Sequence, residues 1–338
     1  MSVEAPFASP PGQAGSQGTG SATGVIHDLG YRGYDGPRLG RPQIVAALTW
    51  HSLRSAFGFG RGAKAKVLPV ITFAALCLPA VINAFAMSRG SDRVISYDTY
   101  VPVLRVLLMT VFVAVQAPEL VSRDLRSRVL PLYFSRPIRS SDYPLAKYLA
   151  FTAACLVMME VPLLLLYVGS IVNVHGGAAV WAQTRALIPG LLVGLMWSVV
   201  LAAIGLFFAS LTGRRGFATG AVAIFFLLTY TVSEILLAEY KNVAQAGPGG
   251  PAGPGGPVGP GGGPLPFTQP PPSLGEKVSG LFSPFTLFDG VRRWLGGTTL
   301  GDVPKPGSFG AVYALVLVLV LALSLAGLFA RYRKARVS

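Results

Sequence analysis

The sequence predicts an all-α, polytopic membrane protein with six transmembrane helices. Three observations carry this reading. Of 338 residues, 52% are hydrophobic and only 12% charged, about half the charged share of a soluble domain. The apolar residues gather into runs near the length a bilayer core demands, about 20 residues. The charges lie between those runs, as they do in bilayer proteins. No stretch outside the runs is long enough for a sizeable soluble domain. A net charge of +14 would suit nucleic acid, but the basic residues flank apolar runs, so no nucleic-acid partner is expected. Arg outnumbers Lys by 21 to 7, a bias that points to a high-GC bacterium.

The chain opens with residues 1–24, mostly Ser, Gly, Ala and Pro, with one Glu and no basic residue. A secretory signal needs a charged start and an apolar centre. Residues 1–41 therefore read as a disordered cytoplasmic tail. Residues 42–66 read as an amphipathic connecting helix and linker. On a helical wheel of Pro42–Gly58, Ala46, Trp50, Leu53 and Phe57 share one arc, and His51, Arg54 and Ser55 share the other. Ile44 and Leu48 interrupt the polar arc. Such a segment lies along the membrane surface; the alternative is a solvated linker helix.

The six spans follow at Val67–Met87, about Tyr100–Leu120, about Tyr148–Val172, Leu187–Leu211, Phe217–Ala238 and Phe309–Ala330. Pro69, Pro79, Pro162 and Pro189 fall inside them; membrane helices tolerate proline where neighbours satisfy the freed backbone groups. Spans one to five occupy residues 67–240, and the last span with a basic tail occupies 309–338. Charge asymmetry orients them. One side carries 19 basic residues and the other 8, and the richer side is cytoplasmic. Both termini fall on it, in keeping with an even number of spans.

Between spans five and six lies a long external loop. Residues 241–273 are rich in Gly and Pro, with Gly247, Gly250, Gly253, Gly256, Gly259 and Gly262 at every third position. Collagen has that period, but six triplets on one chain favour a flexible, solvated insertion. Residues 274–308 differ. Leu281–Leu295 mixes aromatic and aliphatic residues with Arg292 and Arg293, so it lies at the outer membrane face or enters it without crossing. Trp294 suits an interfacial position.

Chemistry-bearing motifs are few. Gly60-Arg-Gly-Ala-Lys64 has neither the spacing nor the Ser/Thr of a phosphate-binding loop, so this chain is not expected to be an enzyme that hydrolyses ATP. His27, His51 and His175 are scattered, and Cys77 and Cys155 sit inside apolar runs. They read as packing residues, and no metal is expected.

The loop from Glu119 to Lys147 is the informative segment. A chain reversal needs only a few residues, whereas this one spends nearly thirty and places the apolar run Val129–Phe134 among arginines. Exposed apolar surface of that kind suits a docking site; the alternative is a loop held on lipid phosphates by its arginines. The sequence here resembles the permease subunits of type-2 ABC exporters. They place a Glu near the end of the second span, then a coupling helix, an Arg-Pro-x-x-Arg-like turn and a Lys entering the third span. Glu119, Leu130–Phe134, Arg136-Pro137, Arg139 and Lys147 occupy those positions. The helix before the first span is similar to the family's connecting helix, and Leu281–Leu295 to its external re-entrant region. His27–Arg38 resembles the leader of a branch from high-GC bacteria. The Gly/Pro insertion departs from the pattern.

The resemblance implies a multi-pass permease of the bacterial plasma membrane. It pairs with a second permease subunit, identical or related, and with an ABC ATP-binding subunit that carries ATP and Mg. Leu130, Pro131, Leu132 and Tyr133 would dock the ATPase, with Arg126, Arg128 and Arg136 as a polar rim. Substrate identity is not legible. A non-transporting scaffold or sensor that anchors a cytoplasmic partner is the competing class. Three charges fall within spans: Arg105, Glu160 and Glu234. Intramembrane charges face a protein interior or cavity. Arg105 and Glu160 read as an ion pair or as part of a substrate path, with Glu234 a competing partner.

Overall fold

A computed structural model of the chain describes residues 36, 40–90, 95, 97, 102–127, 133, 139–246, 274–295 and 309–334. Most of the terminal tail, residues 247–273 of the Gly/Pro insertion and the end of the basic tail lie outside the described residues, whereas 241–246, read as the start of the insertion, continue a helix. Those described are helical, with no strand among them. The helices are α1 (Arg41–Ala56), α2 (Lys64–Ser88), α3 (Pro102–Arg126), α4 (Asp142–Val172), α5 (Gly177–Ser210), α6 (Arg215–Ala246), α7 (Leu274–Ser279), α8 (Pro284–Trp294) and α9 (Gly310–Lys334).

Six of them, α2, α3, α4, α5, α6 and α9, are long and apolar enough to cross a membrane. The chain is a polytopic helical membrane protein. These helices match the six apolar runs but outlast several of them. α5 has 34 residues and α4 has 31, so at 1.5 Å per residue each reaches about 45–50 Å against a core of about 30 Å. The overhang is helix that leaves the apolar layer without breaking, which hydropathy alone does not register.

α3, α4 and α5 form the centre, and their apolar windows are 56–78% buried, whereas those of α2, α6 and α9 are 22% buried. Small residues let the central helices approach. A Cβ on Gly205 of α5 would meet Val113 of α3, and one on Gly327 of α9 would meet Phe207 of α5. Between lipid-facing helices such close packing, rather than a hydrophobic drive, holds the bundle. Phe112 and Phe151 stack at 6.1 Å within this centre, and Phe57 reaches Phe112 at 6.2 Å.

α1 packs on the bundle through part of its apolar arc together with two small residues. Ser52 and Ala56 are fully buried, and Leu48, Leu53 and Phe57 pack against the core, while Trp50 is 62% exposed. Ile44 and Leu48, which interrupt the polar arc, belong to the inward face or its edge. The reason is size: Ser52 and Ala56 admit the neighbouring helix, and the bulky Trp50 stays outside. The turn after α1 needs a glycine. Gly58 has φ +77°, and a Cβ there would lie 2.6 Å from the Ala65 carbonyl oxygen.

α7 and α8 are too short to cross. Ser283 caps α8 by accepting the Phe285 N–H at 3.3 Å, with Pro284 in its first turn. Phe285, Leu287, Phe288 and Val291 are buried. Trp197 of α5 holds Phe288 at 5.0 Å and Phe285 at 5.1 Å between ring centroids. Trp197 lies about 20 Å along α5 from Ser210, so α8 packs beside the middle part of that helix. Tyr313 of α9 fits against Gly280 and Gly290 and donates to the Lys277 carbonyl at 2.5 Å. Cys155 is buried in the core and Cys77 half-buried; both are free thiols.

Candidate functional site

The polar residues of the bundle gather in two places. The larger cluster lies where α2, α4 and α6 begin and α3, α5 and α9 end. Here α3 carries two carboxylates, Glu119 and Asp124, one and a half turns apart. Glu119 is 7% exposed. Arg61, delivered by the Gly58 turn, pairs with it directly. Arg215, the first residue of α6, reaches it at 2.8 Å, and Arg123, one turn along α3, at 3.7 Å. One carboxylate thus ties together three elements: the α1–α2 turn, α3 and α6.

Asp124 performs the same task toward α4. The Lys147 ammonium lies 2.9 Å away and the Tyr143 hydroxyl donates at 2.6 Å. Lys147 and Tyr143 are four apart, so one helix face presents both. The Tyr143 ring sits 5.0 Å from Tyr332 of α9 and 5.4 Å from Tyr133. At the start of α4, Asp142 accepts from Arg41 Nε at 2.7 Å and Nη2 at 2.6 Å, and from the Arg139 N–H at 2.8 Å. These charge-assisted bonds clamp α1 to α4, and the hydrogen bond to Asp142 raises the Arg41 pKa above its ordinary value. Backbone contacts close the cluster: Ser122 donates to the Ala209 carbonyl at 2.8 Å and Arg331 to the Ser210 carbonyl at 3.4 Å.

Of the residues singled out by sequence, Glu119, Arg139 and Lys147 stand in this lattice, and Tyr133 leans on it. Arg126 lines a neighbouring groove with Arg214 and Arg215. Arg128, Leu130, Pro131, Leu132, Arg136 and Pro137 lie outside the described residues. Sequence reading did not single out Arg61, Asp124, Asp142, Tyr143, Arg215 or Tyr332 as site residues. They are partners brought from distant segments.

The second place is inside the apolar layer. The Arg105 guanidinium lies 4.8 Å from the Trp197 ring centroid, a cation–π contact. One turn along α5, the Glu160 carboxyl occupies the space that a side chain at Gly194 would fill. Both Glu160 oxygens are shielded and have no hydrogen-bond partner among the described residues. Arg105 is near enough for its charge to act on that carboxyl, but no hydrogen bond joins the two. Glu234 stands elsewhere on α6, beside Ser233, which donates to the Ser279 carbonyl and Thr286 hydroxyl at 3.1 Å each. Among the described residues no group of three His, Cys, Asp or Glu is placed to hold a metal.

The chain matches no family model and no curated protein. The two clusters therefore have to speak for themselves. The first is a charge lattice that fastens both stems of the α3–α4 loop to α1, α6 and α9. The second is an acid in an apolar interior whose oxygens lack donors. Breaking a buried ion pair by removing one partner costs about 3–5 kcal/mol, and an unsatisfied buried polar group costs about 1–3 kcal/mol. The first arrangement joins the loop stems rigidly to the bundle, and the second places an ionisable side chain in an apolar interior.

Proposed function

We propose that the chain is the permease subunit of an ATP-driven type-2 exporter in the plasma membrane of a bacterium. It couples to a separate ATP-binding subunit through the loop between α3 and α4. The end bearing the charge lattice faces the cytoplasm, as the excess of basic residues demands. α1 is the connecting helix, with Trp50 at the lipid interface. α7 and α8 are the external re-entrant segment before the last span. A second permease subunit, identical or related, completes the path, and ATP and Mg reside on the partner ATPase.

The lattice is the observation that supports this most. Coupling requires that motion at the loop reach the spans through elements with a fixed connection. Glu119 and Asp124 fix the α3 stem to the α1–α2 turn, α6 and α4. Asp142 and Tyr143 fix the α4 stem to α1 and α9. A push on the loop is then shared among five helices and the α1–α2 turn instead of being absorbed by a flexible turn. A scaffold would gain rigidity from the same lattice, but it would have no use for a Glu160 carboxyl that has no hydrogen-bond partner among the described residues.

The test is co-purification. Substituting Leu132→Asp together with Tyr133→Asp should abolish recovery of the cognate ATP-binding subunit, with the unfolding midpoint of the permease measured in parallel. Unchanged recovery would refute docking through this loop.

A further inference from the structure

We infer that the groove between the end of α3 and the α5–α6 turn binds the phosphate headgroup of an anionic membrane lipid. The inference does not rest on the exporter reading. The groove has a volume of about 640 Å³ and is lined by Arg126, Gly213, Arg214, Arg215, Gly216 and Phe217. Half of these residues carry a guanidinium and none carries an acid. The carboxylates of α3 are already committed, Glu119 to Arg61, Arg123 and Arg215, and Asp124 to Lys147 and Tyr143. Among the described residues Arg126 and Arg214 have no carboxylate partner. Three arginines thus share the single carboxylate of Glu119, and the guanidiniums of Arg126 and Arg214 add further positive charge along the groove. The space beside Gly216 is open, with no atom within 4 Å of where a Cβ would stand. Guanidiniums bind phosphate oxygens in a bidentate fork.

The apolar surroundings select a lipid over a soluble anion. Phe217, which lines the groove, is 69% exposed. From Phe217 the exposed residues Ile224, Leu228 and Ile235 continue along α6 at spacings of seven, four and seven, which is one helix face. α6 is long and apolar enough to cross a membrane. A headgroup in the groove leaves its acyl chain along this stripe. A free phosphate would use the arginines and not the stripe, and a soluble protein could not follow the stripe into the bilayer.

The experiment uses the full chain in detergent micelles, titrated with phosphatidylglycerol or phosphatidylcholine and read by native mass spectrometry. Wild type should retain phosphatidylglycerol preferentially. Arg126→Gln with Arg214→Gln should weaken that retention about thirtyfold, at about fivefold for each arginine near a membrane surface. The unfolding midpoint in phosphatidylcholine should not move, because Arg215 still holds Glu119. Arg126→Lys with Arg214→Lys should keep most of the retention. Wild-type retention of phosphatidylglycerol by the Gln variant would overturn the site. Competition by soluble glycerol phosphate at the lipid's own concentration would make it a site for a free anion instead. Loss of the ATP-binding partner with lipid retention intact would make it a protein interface.

Discussion

Removing Asp124 should cost more stability than removing Asp124 and Lys147 together. The side chains of Lys147 and Asp124 are 7% and 17% exposed, and their charged atoms lie 2.9 Å apart. Asp124→Ala leaves the ammonium buried without a counter-ion, a loss of about 3–5 kcal/mol. It also strips the Tyr143 hydroxyl of its acceptor, 2.6 Å away, worth about 1–3 kcal/mol if no other acceptor is found. The two losses share one site and overlap, so the expected total is about 4 kcal/mol. Asp124→Leu with Lys147→Met replaces the pair by apolar groups of similar volume and should recover all but about 1–2 kcal/mol. Equilibrium unfolding of the purified protein in mixed detergent micelles, followed by helical circular dichroism, measures each arm. A coupling energy above about 2 kcal/mol is expected. Single-variant losses that add to within about 0.5 kcal/mol would refute the claim that this pair fastens α3 to α4.

Two further outcomes follow from the interior cluster. Glu160→Gln should shift the unfolding free energy by less than about 1 kcal/mol, since no hydrogen bond to the carboxyl is lost, while lowering the ATPase stimulation of the reconstituted complex. Lower stability with full stimulation would instead show a structural role. Trp197→Ala should cost about 3–5 kcal/mol by removing the seat of Phe285, Phe288 and Arg105. It should also expose a cysteine placed at Phe288 to a membrane-impermeant maleimide; equal labelling in wild type and variant would contradict the packed position of α8.

The spans were legible because their signal is local: a run of apolar residues of bilayer length. The overhangs of α4 and α5 were not, since polar helix and polar loop read alike outside the apolar layer. Glu119 and Lys147 could be picked out from their place around a long loop. Arg61 and Arg215 could not, because they meet Glu119 from segments 58 and 96 residues away, and nothing in either local sequence marks the meeting. The α1 wheel weights large residues and so does not show that Ser52 and Ala56 are where the helix is most deeply buried. Arg105 and Glu160 were legible as intramembrane charges. Their distinct environments, a tryptophan ring for one and the Gly194 gap for the other, depend on α5, which is distant from both in sequence.

The most direct test of the exporter reading is the ATPase rate of the cognate ATP-binding subunit in liposomes with and without this chain. The account predicts a severalfold higher rate with the wild-type chain, and a return to the basal rate with Leu132→Asp and Tyr133→Asp. The same rate in the presence and absence of the chain, at matched protein and with the two subunits recovered together, would contradict it.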